Sequence, residues 1–361
     1  MEKNHNLTLR LPGPEDGNGL EVPAALQERE TLNYYLGVDG GGSKTLAVVT
    51  DQAGRVMGRA VTGCGNHQSG AAIAEQNIRL AVDEALHASG LTKERITYST
   101  FGLAGADREA DYQVLRPMIA GLGLERHHIV CDTVIGLRAG TRQSHGVVVI
   151  CGTGTNCYGI NKEGRELQVG GFGYAFGDFG GGGELAVEVF RSVIRAWEGR
   201  EQPTRLSQAT LNLLGFSSTE AMFHHYLDHE MRVPLEIAKL LFEVAEHDEL
   251  ARDILGRQGR ELGIAASAVI RKLDMQQDSF DLVMAGSILT RGDSRFISPY
   301  IEAEISAIAP GCRLVVLRLE PVAGALFMAM EKSGNPAGES VYHALDEQLS
   351  VQEANALWHK N

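Results

Sequence analysis

Two stretches of this chain repeat one pattern: an apolar β-branched run, a turn of small residues, and a second apolar run. The first stretch spans Tyr35 to Val49, and the second spans Val147 to Ile160. Strand-like runs separated by a glycine-containing turn predict a β-hairpin. Turns of glycine and small hydroxyl residues offer backbone N–H groups that can hold phosphate oxygens closely. Two such hairpins, one in each half of the chain, predict a duplicated fold that closes on one polyphosphate.

Length and charge restrict the class of protein. A chain of 361 residues exceeds what one hydrophobic core usually serves, so two domains are expected. A net charge of −13 disfavours a nucleic-acid or anionic-membrane partner. Neither a bilayer-spanning apolar run nor the apolar core of a signal peptide is visible in the sequence. We therefore expect a cytoplasmic protein that begins with a loose extension over residues 1–31.

The order of predicted elements indicates the fold class. After the first hairpin, strand and helix patterns alternate as β-β-β-α-β-α-β-α, which predicts a mixed α/β sheet with helices outside. The opening pattern returns at Gly146, with helical insertions between about Gly183 and Leu273. We predict a first lobe over residues 32–144, a second over 145–333, and a tail without a strong core pattern over 334–361. Packing of the last helix of the second lobe on the first lobe is left open.

The turn of the first hairpin imitates a P-loop. The run from Asp39 to Thr45 reads Asp-Gly-Gly-Gly-Ser-Lys-Thr, but Ser43 stands where the P-loop pattern requires glycine. Taken alone, this turn fits an ordinary hairpin as well as a phosphate site. The matching turn from Gly152 to Thr155 shifts the interpretation to phosphate binding.

A second glycine-rich segment runs from Gly170 to Gly183. Its glycine density excludes regular structure over much of its length and suits a loop that approaches a ligand beside a helix N-terminus. A flexible linker would have the same glycine content. Because aromatic residues and Asp178 are interleaved with the glycines, we predict a packed active-site loop.

Asp132 follows a strand pattern and precedes a short helix pattern. A helix N-cap is one explanation for this carboxylate. A catalytic or binding group at the C-terminal edge of a sheet is the other. The sequence alone supports the two explanations equally.

The remaining candidate ligands favour structural roles. The five cysteines have no CxxC spacing, and buried reduced thiols are the favoured interpretation. His225 and His229 are one helical turn apart, but no third ligand accompanies them, which favours a surface helix over a metal site.

Together these motifs resemble the N-acetylglucosamine kinases. That group belongs to the BadF/BadG/BcrA/BcrD-type ATPases, within the superfamily of sugar kinases, actin and heat-shock ATPases. The resemblance covers approximately Tyr34 to Lys332 and rests on the following motifs: Asp39 to Thr45, Gly65 to His67, Asp132, Gly152 to Asn156, and Gly170 to Asp178.

The resemblance implies two ribonuclease-H-like lobes that bind ATP and Mg²⁺ in the cleft between them, in a homodimer. Phosphate contacts would come from the two turns, namely Gly41, Gly42, Ser43 and Lys44 with Gly152, Thr153, Gly154 and Thr155. Gly286 and Ser287 would lie against the nucleoside. The amino sugar would meet Asn66, Asp132, Gly171, Phe172 and Asp178. Asp132 would be the catalytic base, and Asp39 would reach Mg²⁺ through water.

N-acetylglucosamine is the first expected substrate, with glucosamine and N-acetylmuramic acid as alternatives. Phe172 stands where the animal enzymes have Trp, and Ala104 to Ala106 replaces Ser-Gly-Gly, and both differences concern the identity of the sugar more than the chemistry. An ATPase that activates a dehydratase or reductase is another alternative, but such relatives hold an iron–sulfur cluster through paired cysteines. A non-catalytic sugar sensor would be expected to lack Asp132.

Overall fold

The structure, a computed structural model, describes residues 32–351, which form two five-stranded mixed sheets with helices packed on them. The strands of the first sheet are β1 (Tyr34–Gly40), β2 (Thr45–Asp51), β3 (Val56–Thr62), β4 (Ile96–Leu103) and β5 (His127–Cys131). They lie in the order β3-β2-β1-β4-β5. The antiparallel pairs are β1–β2 and β2–β3, and β4 and β5 continue the sheet in parallel with β1.

The second sheet repeats this arrangement. Its strands are β6 (Gly146–Cys151), β7 (Thr155–Ile160), β8 (Glu166–Val169), β9 (Phe280–Ala285) and β10 (Cys312–Val316). The order β8-β7-β6-β9-β10, with antiparallel β6–β7 and β7–β8 and parallel β6–β9 and β9–β10, matches the first sheet strand for strand. The predicted duplicated α/β fold with two hairpins is therefore confirmed.

Helices cover both sheets. Those within the first half are α1 (Ala71–Ser89), α2 (Glu109–Ala120) and α3 (Asp132–Gly140). Those of the second half are α4 (Gly182–Trp197), α5 (Arg205–Leu214), α6 (Thr219–Asp228), α7 (Leu240–Val244), α8 (Glu249–Lys272), α9 (Ser287–Thr290), α10 (Ser298–Ser306), α11 (Pro321–Lys332) and α12 (Glu339–Gln348). None of the helices between residues 32 and 351 is both long and apolar enough to cross a membrane.

Helices α3 and α11 lie between the two sheets and contact each other. Leu137 of α3 packs with Val148 and Val283 of the second sheet, whereas Val322 and Leu326 of α11 pack with the first sheet. The α3–α11 contact requires glycine, because a Cβ on Gly324 would lie 1.9 Å from the backbone oxygen of Ile135. These two helices therefore connect the halves and set how their strand ends face each other.

The end of the described chain differs from the expected tail. Glu339–Gln348 forms α12, and its buried Val341 and Leu345 join the apolar cluster on α11 and the first sheet. Val341 and Leu345 are four residues apart, so they share one helical face, but this two-residue pattern is too short to stand out in the sequence. Helix α12 therefore adds core residues to a segment whose sequence has no strong core pattern.

We expect Leu345→Ala to destabilise the protein by about 2–5 kcal/mol, because a fully buried leucine is truncated in a packed core. Urea unfolding would measure the loss. Leu80→Ala is the matched control, since Leu80 is 46% exposed on α1 and its truncation should change the unfolding free energy by no more than about 0.5 kcal/mol. Equal effects of the two substitutions would contradict the packing of α12.

Candidate active site

A cleft of about 660 Å³ lies where the strand ends of the two halves face each other. It gathers most of the residues that the sequence nominated. The first half contributes Asp39, Gly41, Gly42, Ser43, Lys44, Asn66 and Asp132, and the second contributes Gly152, Thr153, Gly154, Thr155, Gly171, Gly286 and Ser287. Two nominated residues, Phe172 and Asp178, are not in its lining.

The two glycine-rich turns meet across this cleft. The hydroxyl oxygens of Ser43 and Thr153 are 3.2 Å apart and share a hydrogen bond. Behind the second turn, the backbone oxygens of Gly152 and Thr153 accept hydrogen bonds of 2.7 Å and 3.1 Å from the first amides of α4. The second turn is therefore anchored to the start of a 16-residue helix, whose N-terminal end is electropositive.

The cleft holds two partly buried carboxylates whose pKa values are high for aspartate. Burial, followed by the negative charges of Asp132 and Glu320, raises the pKa of Asp39 to about 7, and Lys44 opposes this rise. Burial also raises the pKa of Asp132 to about 6, against the hydrogen bond from the Cys131 thiol. Carboxylates held at such pKa values are typical of groups that accept a proton or a cation.

Asp132 is the first residue of α3, and Cys131 occupies the N-cap position without a side-chain cap. The Cys131 sulfur lies 3.2 Å from an oxygen of Asp107 and 3.3 Å from an oxygen of Asp132, so its thiol can donate to either carboxylate. Asp107 also lines the cleft and raises the pKa of Asp132. The side chain of Asp132 is thus turned to the cleft and does not act as the N-cap.

A hydrogen-bonded network fixes the loops on the Asn66 side of the cleft. Asn66 Oδ1 accepts a hydrogen bond from the backbone N–H of Gln68 at 2.9 Å, and Gln68 Nε2 donates to the backbone oxygen of Gly105 at 3.3 Å. Asp111, which is buried, accepts from Gln68 and Arg108 and lies 3.2 Å from Nε2 of His67. The network joins the 66–69 and 104–108 loops, and it leaves Asn66 at the cleft surface.

The glycine-rich loop differs from the expected packed loop. Asp178 accepts hydrogen bonds from the backbone N–H groups of Gly171, Phe172 and Gly173 at 3.0, 2.7 and 2.5 Å. The aromatic side chains point outward, with Phe172, Tyr174 and Phe176 being 44%, 68% and 80% exposed. The prediction of a packed loop is wrong for these side chains, because the order of the loop comes from the Asp178 carboxylate.

The opposite end of the cleft is formed by the Gly286 region and the chain around α11. Gly286 has φ +90°, and a Cβ there would lie 2.4 Å from the backbone oxygen of Cys151. Glycine is therefore needed for this loop to pass beside the end of β6. Further lining residues that the sequence did not nominate are Gln68, Asp107, Asn156, Thr290, Arg291, Leu317, Glu320 and Val351.

Two of these residues could have been identified as site residues from their positions in the sequence. Asp132 directly follows β5, and Asp107 comes four residues after the end of β4, so the rule about strand ends applies to both loops. Asn156 comes directly after the second small-residue turn. Glu320, Arg291 and Val351 reach the cleft only through tertiary packing, and no local pattern distinguishes them.

Within residues 32–351, no three His, Cys, Asp or Glu side chains are grouped to hold a metal ion by themselves. His225 and His229 lie at the end of α6, where their rings are 4.6 Å apart and Nδ1 of His229 is 2.9 Å from the backbone oxygen of His225.

Comparison with known proteins assigns this architecture. The model of the BadF/BadG/BcrA/BcrD ATPase family matches residues 36–329, which include both hairpins and every nominated site residue. The chain belongs to this family. The match confirms the family resemblance that the motifs indicated.

Three similar proteins each cover more than four fifths of this chain. The N-acetylmuramic acid/N-acetylglucosamine kinase of Clostridium acetobutylicum is 28% identical over 304 residues, which is 82% of this chain and 98% of that protein. The N-acetyl-D-glucosamine kinase of Dictyostelium discoideum is 28% identical over 315 residues, or 82% and 97% of the two chains. The crystal structure of a Chromobacterium violaceum protein assigned as an N-acetylglucosamine kinase has a TM-score of 0.66 at 23% identity, and covers 83% of this chain and 99% of that one. The predicted two-lobed fold is thereby confirmed.

We expect Gly154→Val to leave the protein folded and to weaken nucleotide binding by at least about tenfold, equivalent to roughly 1.4 kcal/mol. A Cβ at Gly154 meets no atom within 4 Å, so the branched side chain would occupy the open cleft. Calorimetric titration with ATP, accompanied by circular dichroism, would measure the effect.

Gly338→Val is the matched control, because Gly338 also has open space around its Cβ position but lies outside the cleft lining. Unchanged ATP affinity in a folded Gly154→Val protein would remove the second turn from the nucleotide site.

Proposed function

We propose that the protein is an ATP-dependent amino-sugar kinase that transfers the γ-phosphoryl group to N-acetylglucosamine, at its 6-hydroxyl. The observation that carries this proposal is the position of Asp132 in the same cleft as two opposed glycine-rich turns. The cleft then offers small-residue turns for a polyphosphate together with a carboxylate for an acceptor hydroxyl. The named activities of the two relatives agree with this division.

In the proposed complex, the turns at Gly41 to Lys44 and Gly152 to Thr155 hold the phosphates. Phosphoryl transfer needs an acceptor oxygen in line with the leaving group and stabilisation of charge on the transferred group. Backbone N–H groups aimed at that charge contribute several kcal/mol to catalysis. Gly286 and Ser287, at the other end of the cleft, contact the nucleoside.

Asp132 is the proposed general base. It accepts the proton of the sugar hydroxyl as the oxygen attacks the γ-phosphorus and the bond to the ADP oxygen breaks. With a pKa of about 6, Asp132 is mostly ionised at neutral pH and is a stronger base than an ordinary aspartate. The Cys131 thiol is the donor that can hold this carboxylate in place, and the negative charge of Asp107 raises its pKa.

The residues fit a Mg²⁺ ion that arrives with the nucleotide. Mg²⁺ prefers oxygen ligands and is usually held by one or two carboxylates together with substrate phosphates and water. Asp39 is a desolvated carboxylate beside the first phosphate turn, and it would hold the ion through water. When bound, the ion neutralises charge on the phosphate oxygens.

On the sugar side, Asn66 and Gly171 are the proposed contacts. Because Asn66 Oδ1 is used by the Gln68 N–H, its Nδ2 amide group is the part that can donate to a sugar oxygen. Asp178 would act through the loop, by holding the backbone at Gly171 and Phe172, and Phe172 would meet the sugar only if the loop moved. N-acetylmuramic acid is the alternative sugar, since the Clostridium relative is named for both compounds. A homodimer and a cytoplasmic location remain predictions.

A panel of sugars with ATP tests the function directly. We expect ADP release to require a sugar and to be fastest with N-acetylglucosamine, with glucose, glucosamine and N-acetylmuramic acid as comparisons. Coupled ADP detection would give the rates, and mass spectrometry would identify the phosphorylated sugar. ATP hydrolysis that no sugar accelerates would contradict a kinase.

We expect Asp132→Asn to lower kcat by about 10²-fold or more, because general-base assistance is typically worth 10²–10⁴. The change keeps the size of the side chain, so ATP and sugar should still bind. In the wild-type enzyme, kcat/KM should fall as the pH drops below about 6, where Asp132 becomes protonated. Steady-state kinetics between pH 5 and 9 would measure both effects.

Asp178→Asn is the comparison variant, because that side chain acts on the loop and not on the acceptor hydroxyl. Its expected defect is a higher KM for the sugar. Near-normal kcat in Asp132→Asn would exclude this residue as the base.

A further inference from the structure

Glu320 is a carboxylate of the cleft that the proposed mechanism does not use. It immediately precedes α11, its backbone N–H donates to the backbone oxygen of Leu349 at 2.8 Å, and its side chain lines the cleft. The residue is only 4% exposed. Its carboxylate is therefore a buried group in the space assigned to the nucleotide.

The hydrogen bonding of this carboxylate is incomplete. Oε2 lies 3.5 Å from Nζ of Lys44, which is longer than the 2.7–2.9 Å typical of charge-assisted hydrogen bonds. Oε1 is buried and has no hydrogen-bond partner. A buried carboxylate is expected to be paired and fully hydrogen-bonded, so the free oxygen favours a second cation at this place.

Lys44 is needed elsewhere when nucleotide is bound. It ends the first phosphate turn, directly before β2, and its ammonium is the cation of that turn. If Lys44 turns to the phosphates, Glu320 loses the one ion pair that it makes within residues 32–351. Glu320 and Asp39 would then face the phosphates as two negative charges, and Asp39 already lies close enough for the two to repel each other.

We propose that Glu320 is a second carboxylate, beside Asp39, of a cation site that is linked to the nucleotide. When the nucleotide binds, Glu320 releases Lys44 to the phosphates and binds Mg²⁺ or one of its waters together with Asp39. This inference rests on the proposed nucleotide site and assigns Glu320 a positioning role. Two carboxylates and phosphate oxygens form a donor set that Mg²⁺ commonly accepts. Without the ion, Glu320 repels phosphate and retains Lys44, so nucleotide affinity depends strongly on Mg²⁺.

The test is the ratio of the dissociation constants of ADP without and with Mg²⁺, measured by calorimetry in EDTA and in excess Mg²⁺. In Glu320→Gln this ratio should fall by about 10- to 100-fold, the usual range for loss of a group that supports a metal. Metal-free ADP should bind more tightly than to the wild type, and Mg-ADP less tightly. Glu331→Gln is the matched control, because Glu331 lies on the same helix, pairs with Arg138, and is outside the cleft lining.

Lys44→Met and the double variant separate a cation site from a simple anchor for Lys44. If Glu320 acts on the ion, Glu320→Gln still lowers the ratio in the Lys44→Met background. If it only holds Lys44, the ratio in that background does not change, and the proposal is overturned. An equal loss of both affinities in Glu320→Gln, which leaves the ratio unchanged, would also overturn it. A wild-type protein that binds no ADP under either condition would instead contradict the proposed function.

Discussion

The structure depends on the close contact between α3 and α11. One helix packs on the second sheet and the other on the first, so their contact is what holds two separate cores in one arrangement. The contact leaves no room for a side chain at Gly324, whose Cβ would meet the Ile135 backbone oxygen at 1.9 Å. Gly37 of β1 is similarly crowded by α11, with Leu326 Cγ and the Val322 oxygen both 2.9 Å from its Cβ position.

This contact also explains where the chemistry is found. Asp132 is the first residue of α3, and Glu320 immediately precedes α11, so the N-terminal ends of both helices deliver a carboxylate to the cleft. The strand ends of the two sheets deliver the small-residue turns to the same space. A rotation of one half about the α3–α11 contact would therefore change the separation of the turns and of the carboxylates together. Such coupled movement is what enzymes use to exclude water before phosphoryl transfer.

The site has a cost in stability that depends on pH. The pKa values of Asp39 and Asp132 are raised from 3.8 to about 7 and 6, so the folded protein binds more protons than the unfolded chain between these limits. The contribution of these two carboxyl groups to the free energy of unfolding therefore falls as the pH rises from about 4 to 7. It is lowest where both groups are ionised. A cation beside Asp39 would reverse that loss for this residue, because it favours the ionised form. Asp39, which lowers the stability of the protein by itself, would therefore raise it in the presence of such a cation.

Local patterns predicted much of the fold, because strands and helices leave periodic signals. The order β-β-β-α-β-α-β-α predicted after the start of the first hairpin is the observed order of β1 to β5 with α1 to α3. The two hairpin turns were recognisable because glycine and small hydroxyl residues are clustered in each.

The features that the sequence analysis did not predict have a common physical cause. Helix α12 has two buried residues in ten, which is too weak a pattern to predict its packing from the sequence. Its position depends on the apolar surface of α11. Asp178 was nominated for its carboxylate, but three backbone N–H groups of its own loop use that carboxylate. Glu320 looks like an ordinary acidic residue before a helix, and only the packing of α11 against the first sheet turns it toward Lys44. A residue whose role depends on a partner some 276 positions away in the chain has no local signature, and its function follows from the tertiary contact that buries it.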